Sequence, residues 1–254
     1  MLSISKTKFI NSLKNRKHRE KTGCFIIEGE KMVGEALKTG IKLTLTAATQ
    51  QWMETAGSIE ADEVIEVNDR ELKKISSLTT PNMVLAVAAM PEHDFEKIDF
   101  KSDIILALDA VRDPGNLGAI IRTADWFGIE NLVCSPDCAD IYSGKVVQAT
   151  MGAIFRVRIF SRDLEDMLTQ CTKDKVPVYG TFPEGGSIYE KDLTCNGVIV
   201  MGNESRGINN NLHPLISGKL YIPSFPHGRT GSESLNVSVA AAIVCSEFRR
   251  RITI

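Results

Sequence analysis

Short apolar segments and longer amphipathic segments alternate along the second part of the chain, and this alternation restricts the fold more than any other feature. Apolar strands are predicted at residues 104–108, 131–134, 156–160, 176–181, 197–201 and 219–222. Helices are predicted at residues 116–127, 144–154, 164–174 and 235–250. Strands that alternate with helices favour an α/β fold with a mainly parallel sheet covered on both faces. In such a sheet, ligands bind beyond the carboxyl ends of the strands.

A smaller α/β unit is predicted to precede this sheet. Its strands are expected at residues 24–27, 43–47, 64–67 and 84–89, with helical segments at 6–21, 29–38 and 68–77. Asn68 and Glu71 have the spacing of a capping pair, in which each side chain satisfies a free backbone N–H at a helix start. Thr230 and Glu233 have the same spacing before the last helix.

A polar stretch that begins with proline, from Pro91 to Ser102, separates the two parts. It contains charged and turn-forming residues, and its apolar residues do not recur at the spacing of a helix or a strand. We therefore predict an N-terminal domain over residues 1–92, a linker over 93–102 and a C-terminal domain over 103–254.

The composition bears on compartment and on metal binding. The 254 residues are 43% hydrophobic and 24% charged, with a formal net charge of −2. No apolar run reaches the roughly 18 residues that a transmembrane helix needs, and the first residues lack the layout of a secretory signal. The six cysteines form no metal-ligand cluster with histidine. We expect reduced thiols, no metal site, no membrane span and a cytoplasmic location.

Positive charge is concentrated near the start of the chain. Between Met1 and Lys31 there are eight Lys and Arg residues against three Glu. Such a block can neutralise the phosphates of a nucleic acid, and it is equally compatible with a solvated helix face.

Polar residues are expected at three turns near the carboxyl ends of predicted strands. The first turn contains Asn116 and leads into a helix with Arg122. The guanidinium of Arg122 could bind phosphate through two N–H donors, or it could form an ion pair on the helix surface. The second turn, residues 202–207, carries Glu204, and the third runs from Ile222 to the start of the last helix. Ser234 and Asn236 at that start fit either a helix cap or the wall of a polar site.

Common nucleotide-binding and hydrolase patterns are absent from the sequence. No G-x-G-x-x-G follows the first strand, no G-x-x-x-x-G-K-[ST] occurs, and no G-x-S-x-G elbow is present. The sequence therefore predicts neither a dinucleotide fold, nor a P-loop enzyme, nor an α/β-hydrolase.

Three blocks of sequence resemble the three motifs of the SpoU (TrmH) RNA 2′-O-ribose methyltransferases. They are residues 116–124, residues 202–207, and Ile222-Pro223 together with residues 234–240, in the family's order and spacing. Residues 25–31 with Thr80-Pro81 resemble the small substrate-binding domain of ribosomal-RNA members. One departure is Ser224, which stands where many relatives have methionine, in a longer loop that runs to Glu233.

The resemblance implies a fold, a cofactor and a set of site residues. It implies an α/β-knot domain with a deep trefoil knot, preceded by a small α/β RNA-binding domain, and a homodimer. It implies methylation of a ribose 2′-OH, most often in ribosomal RNA, with S-adenosylmethionine as cofactor and no metal. By motif position, the implied catalytic residues are Arg122, Asn116, Glu204, Ser234 and Asn236. The implied cofactor-binding residues are Gly202, Ile222 and Leu235, and Thr181 at a predicted strand end is a further candidate.

A small-molecule methyltransferase is disfavoured by the basic N-terminal block and the extra domain, and two other functions, both involving RNA, are compatible with the same sequence. One is methylation of tRNA, which the N-terminal domain disfavours because tRNA members often carry short helical extensions instead. The other is a non-catalytic RNA-binding member of the fold, which the intact set of Asn116, Arg122, Glu204 and Asn236 disfavours.

Overall fold

The computed structural model describes residues 1–226 and 234–251. The strands are β1 Cys24–Glu28, β2 Leu43–Ala48, β3 Val64–Glu66, β4 Val84–Ala89, β5 Ile104–Leu108, β6 Asn131–Cys134, β7 Arg158–Ser161, β8 Val178–Ser187, β9 Gly197–Met201 and β10 Gly218–Tyr221. The α-helices are α1 Ile4–Ser12, α2 Arg16–Thr22, α3 Glu30–Thr39, α4 Gln50–Ala56, α5 Asp69–Ile75, α6 Pro114–Trp126, α7 Gly144–Ala149, α8 Leu164–Lys173 and α9 Val237–Arg250. Two compact units are formed, one from Met1–Glu92 with Asp140–Arg156 and the other from the rest.

The first unit is built on a small mixed sheet in the order β1-β4-β2-β3. Strand β4 is antiparallel to β1 and β2, and β3 is parallel to β2. One face of the sheet packs against apolar side chains of α1 and α5, which include Ile10, Leu72 and Ile75. The predicted cap of α5 is confirmed, because Glu71 N donates to Asn68 Oδ1 at 3.0 Å and Asn68 N donates to Glu71 Oε2 at 3.1 Å.

Within the described residues, the second unit contains a six-stranded sheet in the order β10-β8-β9-β5-β6-β7. Every paired neighbour in it is parallel, which confirms the predicted α/β architecture. Strands β5 and β9 are buried along their whole length, as expected for apolar strands covered on both faces. The strand order reverses between β5 and β9, and the carboxyl ends of these two strands form the edge at which a ligand site is expected.

The structure divides the chain differently from the prediction at two places. Residues 93–102, predicted as a linker, belong to the second unit because Phe95 and Phe100 pack against its apolar core. Residues 140–156, predicted in the C-terminal domain, belong to the first unit. Gln148 Nε2 in α7 donates to the carbonyl of Glu28 at 2.7 Å, and this anchors the segment on β1.

Several predicted boundaries also shift. The helix predicted at 144–154 ends as an α-helix at Ala149, and the strand predicted from residue 156 begins at Arg158. The last helix begins at Val237 and is capped by Asn236, whose side chain accepts from Ser238 N at 2.9 Å. The capping pair predicted from Thr230 and Glu233 lies outside the described residues.

The end of α9 is fixed by arginine side chains that bond to backbone carbonyls. Arg249 donates to the carbonyls of Phe127 and Gly128, each at 2.7 Å. Arg251 donates to the carbonyl of Ile188 at 3.1 Å. Glu247 lies beneath these arginines with 4% of its side chain exposed. The terminal basic run therefore attaches the helix to its own unit.

Glu247→Gln is expected to lower the free energy of unfolding by about 2 kcal/mol. Glu247 Oε1 accepts from Arg250 Nη2 at 2.7 Å and from Arg251 Nε at 2.8 Å, and the amide removes the negative charge. Urea denaturation measures the change. Glu130→Gln is the control. Glu130 pairs with Arg158 but its side chain is 70% exposed, so removing its charge should change the free energy of unfolding little.

The difference in unfolding free energy between wild type and Glu247→Gln is expected to depend on pH. The hydrogen bond from Arg250 holds the pKa of Glu247 below its usual value of 4.5. The stabilisation is therefore complete at neutral pH and is lost as the pH falls through the lowered pKa. The difference between wild type and Glu247→Gln should shrink under acid conditions, and a difference independent of pH would contradict the role of the charge.

Candidate active site

Three polar side chains from separate segments of the second unit meet at the carboxyl edge of its sheet. Asn236 Nδ2 donates to Asn116 Oδ1 at 2.9 Å. Asn116 Nδ2 donates in turn to Glu204 Oε1 at 3.0 Å. We call Asn236, Asn116 and Glu204 the amide–carboxylate chain. All three were predicted as site residues, and the structure brings them into direct contact.

Asn116 is positioned by the start of α6. Asp113 is the N-cap of this helix, and its Oδ1 accepts from Asn116 N at 2.8 Å. Pro114 occupies the first helical position, where its fixed φ suits the helix and its missing N–H costs nothing. Asn116 therefore lies in the first turn, and the following residues, Leu117 and Gly118, pack inward.

Glu204 is positioned by a tight turn between Gly202 and Gly207. Asn203 and Gly207 exchange backbone hydrogen bonds of 2.9 and 3.0 Å. A Cβ on Gly202 would lie 2.3 Å from the carbonyl carbon of Gly207, so a side chain at this position would force the turn open. Glu204 Oε2 accepts from Asn203 Nδ2 at 3.2 Å. Both carboxylate oxygens thus face donors.

Asn203 and Asp113 are positioning residues that the sequence prediction did not select. Asn203 Oδ1 accepts from the backbone N–H groups of Ser205 and Arg206, while its amide donates to the carbonyl of Ala110 at 2.7 Å. The aspartate directly before Pro114 was the available signal for a helix cap.

Arg122 lies apart from the amide–carboxylate chain. It follows Asn116 by six residues on α6, which is about 9 Å along the axis and roughly 120° around it. Its side chain is exposed and makes no hydrogen bond or ion pair within residues 1–226 and 234–251. Ser234 is likewise exposed, and its hydroxyl has no hydrogen-bond partner in the same ranges.

Of the four predicted cofactor residues, two directly follow strand ends. The strand predicted to end at Thr181 continues to Ser187. Thr181 lies within β8, Gly202 follows β9 and Ile222 follows β10. Thr181 Oγ1 donates to the carbonyl of Val200 at 3.5 Å, a weak contact that leaves the hydroxyl oxygen available. Leu235, just before α9, is 49% exposed. An exposed leucine, a half-buried isoleucine and nearby backbone polar groups fit a ligand with both apolar and polar parts, such as a nucleoside with an amino-acid chain.

Across residues 1–226 and 234–251, no group of three or more His, Cys, Asp or Glu side chains has an arrangement that would hold a metal ion. Among the helices of those same residues, none is long and apolar enough to cross a membrane.

The parallel sheet and the polar chain at its carboxyl edge define an α/β ligand-binding domain joined to a smaller α/β unit. The model of the SpoU rRNA Methylase family matches residues 103–246, and the model of the MRM3-like substrate binding domain matches residues 5–86. The chain therefore belongs to the SpoU rRNA methylase family, as its motifs predicted, and carries the substrate-binding domain expected before it.

Named relatives and solved structures extend over the whole chain. The chain is 33% identical over 249 residues to 23S rRNA (guanosine(2553)-2′-O)-methyltransferase RlmP of Bacillus subtilis, covering 96% of each protein. It is 27% identical to 23S rRNA (uridine(2479)-2′-O)-methyltransferase of Streptomyces viridochromogenes, covering 95% of this chain and 88% of that protein. A TrmH-family structure from Porphyromonas gingivalis aligns with a TM-score of 0.89 at 38% identity over 99% of each chain. An AdoMet-bound rRNA methyltransferase from Sinorhizobium meliloti aligns with a TM-score of 0.82 at 30% identity, over 100% of this chain and 98% of that one.

Proposed function

We propose that the protein methylates a ribose 2′-OH of ribosomal RNA with S-adenosylmethionine as the methyl donor. The observation that carries the proposal is the amide–carboxylate chain of Asn236, Asn116 and Glu204, assembled at the ligand-binding edge of a SpoU-family domain. RlmP and the Streptomyces enzyme are both 2′-O-methyltransferases of 23S rRNA, which supports ribosomal RNA as the substrate.

The residues of the chain would act by holding and orienting the acceptor. When bound, S-adenosylmethionine would supply a sulfonium methyl group, whose carbon an oxygen nucleophile can attack in line while the carbon–sulfur bond breaks and the sulfur leaves as a neutral thioether. The linked side chains of Asn236, Asn116 and Glu204 would hold the ribose in line with that methyl group. Arg122 offers an exposed guanidinium that can contact RNA phosphate and stabilise charge developing on the 2′-oxygen. It does not accept the proton, because a guanidinium stays protonated in proteins.

Thr181, Gly202, Ile222 and Leu235 are proposed to bind the cofactor. Support comes from the position of Gly202 and Ile222 directly after β9 and β10, with Thr181 in the neighbouring β8 and Leu235 before α9, and from the AdoMet-bound relative. Ser234 is proposed to extend the polar wall next to Asn236. The trefoil knot implied by the resemblance is part of this proposal. The close packing of α9 on α6 and the bonds from Arg251 to carbonyls near residue 188 are compatible with a knotted chain end.

The N-terminal unit is proposed to bind RNA through part of its basic block. Some of these cations already have partners, since Arg19 pairs with Asp140, Lys6 with Glu63 and Arg16 with Glu20. Lys8, Lys17, Lys21 and Lys31 are exposed and make no ion pair within the described part of the chain. These four lysines are the cations available for phosphate.

Reversing two of these charges should weaken RNA binding without affecting the cofactor. For Lys17→Glu with Lys21→Glu, we expect RNA affinity to fall about tenfold or more and the salt dependence to decrease by about one unit of slope per lost phosphate contact. Filter binding over a salt series measures both. The matched control, Lys101→Glu with Lys173→Glu, changes the net charge equally in the second unit. If RNA affinity fell equally in the two double variants, the fall would reflect net charge alone and not a contact made by Lys17 and Lys21.

We also propose a homodimer, which the resemblance to the SpoU family implies. Trp126 at the end of α6 is 84% exposed, and Val239 on the adjoining α9 is also exposed. Large apolar side chains exposed on packed helices favour burial against another surface. Light scattering of the full chain tests the dimer. The cytoplasmic location stays a prediction.

Transfer of labelled methyl groups tests the proposed function. Ribosomal RNA from a strain that lacks this gene should accept label, while tRNA from that strain should not. Label on tRNA instead would favour the tRNA alternative. A calorimetric titration in which S-adenosylmethionine binds, with no transfer to either RNA, would favour a non-catalytic RNA-binding protein.

A further inference from the structure

A second feature of the sheet's carboxyl edge is not used by the proposed reaction. A cavity of about 300 Å³ lies beyond the ends of β5, β6 and β9 and is lined by Asp109, Arg112, Asp137, Asn203, Arg206 and Asn210, among others. We call it the Asp109 cavity. Its position beside β5 and β9 is the point at which the strand order reverses, where α/β sheets bind ligands.

The Asp109 cavity is distinct from the predicted cofactor residues but adjoins the amide–carboxylate chain. The cofactor candidates lie within β8, after β9 and β10, and before α9, whereas this cavity extends from β9 toward β6. The two regions share the turn between Gly202 and Gly207. Asn203 lines the cavity and also donates to Glu204 Oε2 at 3.2 Å. A group bound in the cavity would therefore lie next to the proposed acceptor site.

Asp109 is a buried carboxylate with an unused acceptor. The residue is 7% exposed, and its Oδ2 accepts from Asn209 N at 2.6 Å. Its Oδ1 makes no hydrogen bond to any residue in the ranges 1–226 and 234–251. Burial raises the pKa of Asp109 above its usual value of 3.8. Oδ1 is not fully enclosed by protein atoms, so a donor group of a ligand in the cavity can reach it.

The rim of the cavity carries cations that suit phosphate. Arg112 pairs with Asp137 at 3.1 Å but remains largely exposed. The Arg206 side chain is exposed and has no hydrogen-bond partner in the described part of the chain. An inner acceptor with outer guanidinium groups matches a nucleotide, whose base carries N–H donors and whose backbone carries negative charge.

We propose that the Asp109 cavity binds a guanine base of the RNA substrate, with Asp109 accepting N–H bonds from the base and Arg206 contacting a neighbouring phosphate. This inference rests on the proposed RNA methyltransferase function. Guanine alone among the four bases presents two adjacent N–H donors on its Watson–Crick edge, which suits an acceptor-only carboxylate. Adenine and cytosine place a ring-nitrogen acceptor beside their amino group. Uracil places its one N–H between two carbonyl oxygens. Enzymes that act on single-stranded or extruded nucleotides read this edge within a pocket.

Direct binding of nucleotides to the full chain tests the base preference without any methyl transfer. GMP, AMP, CMP, UMP and inosine monophosphate are titrated separately, and binding is followed by NMR chemical shifts. GMP is expected to bind at least about fivefold more tightly than AMP, CMP or UMP. Inosine monophosphate, which lacks the 2-amino donor, should bind several-fold more weakly than GMP. Equal affinity for all five nucleotides would overturn the proposal.

Variants of the chain locate the preference. Asp109→Asn is nearly isosteric and can still accept from Asn209 N, so the fold should persist, as circular dichroism and thermal unfolding would verify. It should abolish the preference for GMP. Asp192→Asn, which alters an exposed aspartate outside the cavity, should retain it. A GMP preference that survives Asp109→Asn would place guanine elsewhere and overturn the proposal, whatever the stability of the variant.

A short oligonucleotide distinguishes RNA from a free guanine nucleotide as the source of the base. A single-stranded RNA with one guanine among uridines should bind more tightly than GMP, because flanking phosphates reach Arg206, and replacing guanine by adenine should remove this gain. Oligonucleotide binding no tighter than GMP would contradict RNA as the source. Selective GMP binding without methyl transfer would sink the proposed function alone. Methyl transfer to RNA without guanine selectivity would sink this inference alone.

Discussion

Arg122→Ala is expected to lower methyl transfer to ribosomal RNA by a factor of about one hundred or more, while the Kd of S-adenosylmethionine changes less than about twofold. A guanidinium aimed at developing charge contributes on this scale in enzyme sites. The side chain is exposed and has no hydrogen-bond partner in the described residues, so its removal should not disturb the fold. Single-turnover transfer and calorimetric titration measure the two quantities.

Two further variants define what Arg122 does. Arg122→Lys keeps the charge but loses the planar fork of donors, and an intermediate rate is expected. Lys173→Ala removes an exposed cation from α8 and should leave transfer unchanged. If Arg122→Ala instead weakened cofactor binding, the residue would belong to the cofactor site. If it left transfer intact, the proposed role would be wrong.

Glu204→Gln should have the second largest effect, with a loss of about one hundredfold in kcat/KM for RNA. The carboxylate accepts from Asn116 Nδ2 and Asn203 Nδ2, and a glutamine would direct its own N–H donors at one of them. The amide–carboxylate chain should then lose its fixed geometry. Steady-state kinetics measures the loss, and Glu165→Gln, at an exposed position on α8, is the matched control.

A double-mutant cycle tests whether the amide–carboxylate chain acts as a unit. Asn236 reaches Glu204 only through Asn116 in the contacts described, so Asn236→Ala should add little to the loss caused by Glu204→Gln. Strictly additive effects would show that the two residues act independently, and the chain would then be only a structural contact.

Much of the fold could be predicted because its signals are local. Apolar strands alternating with helices indicated the parallel sheet, and the spacing of Asn68 and Glu71 indicated the cap of α5. These features depend on side-chain period and on hydrogen bonds within a few residues, which a sequence displays directly. The assignment of residues 140–156 to the first unit depends on partners such as Glu28, more than one hundred residues away, and no local pattern reports it.

The sequence by itself determined the family and the polar residues at the strand ends, because both depend on residue type and spacing. Tertiary structure decided which of those residues meet. It joined Asn236, Asn116 and Glu204 by hydrogen bonds and left Arg122 further along α6, facing another direction. It also revealed Asp109 as a buried acceptor in a cavity, whereas in the sequence this aspartate only follows an apolar strand. The physical reason is that burial, distance and an unused lone pair are properties of packed neighbours, and packing brings together residues that the chain keeps far apart.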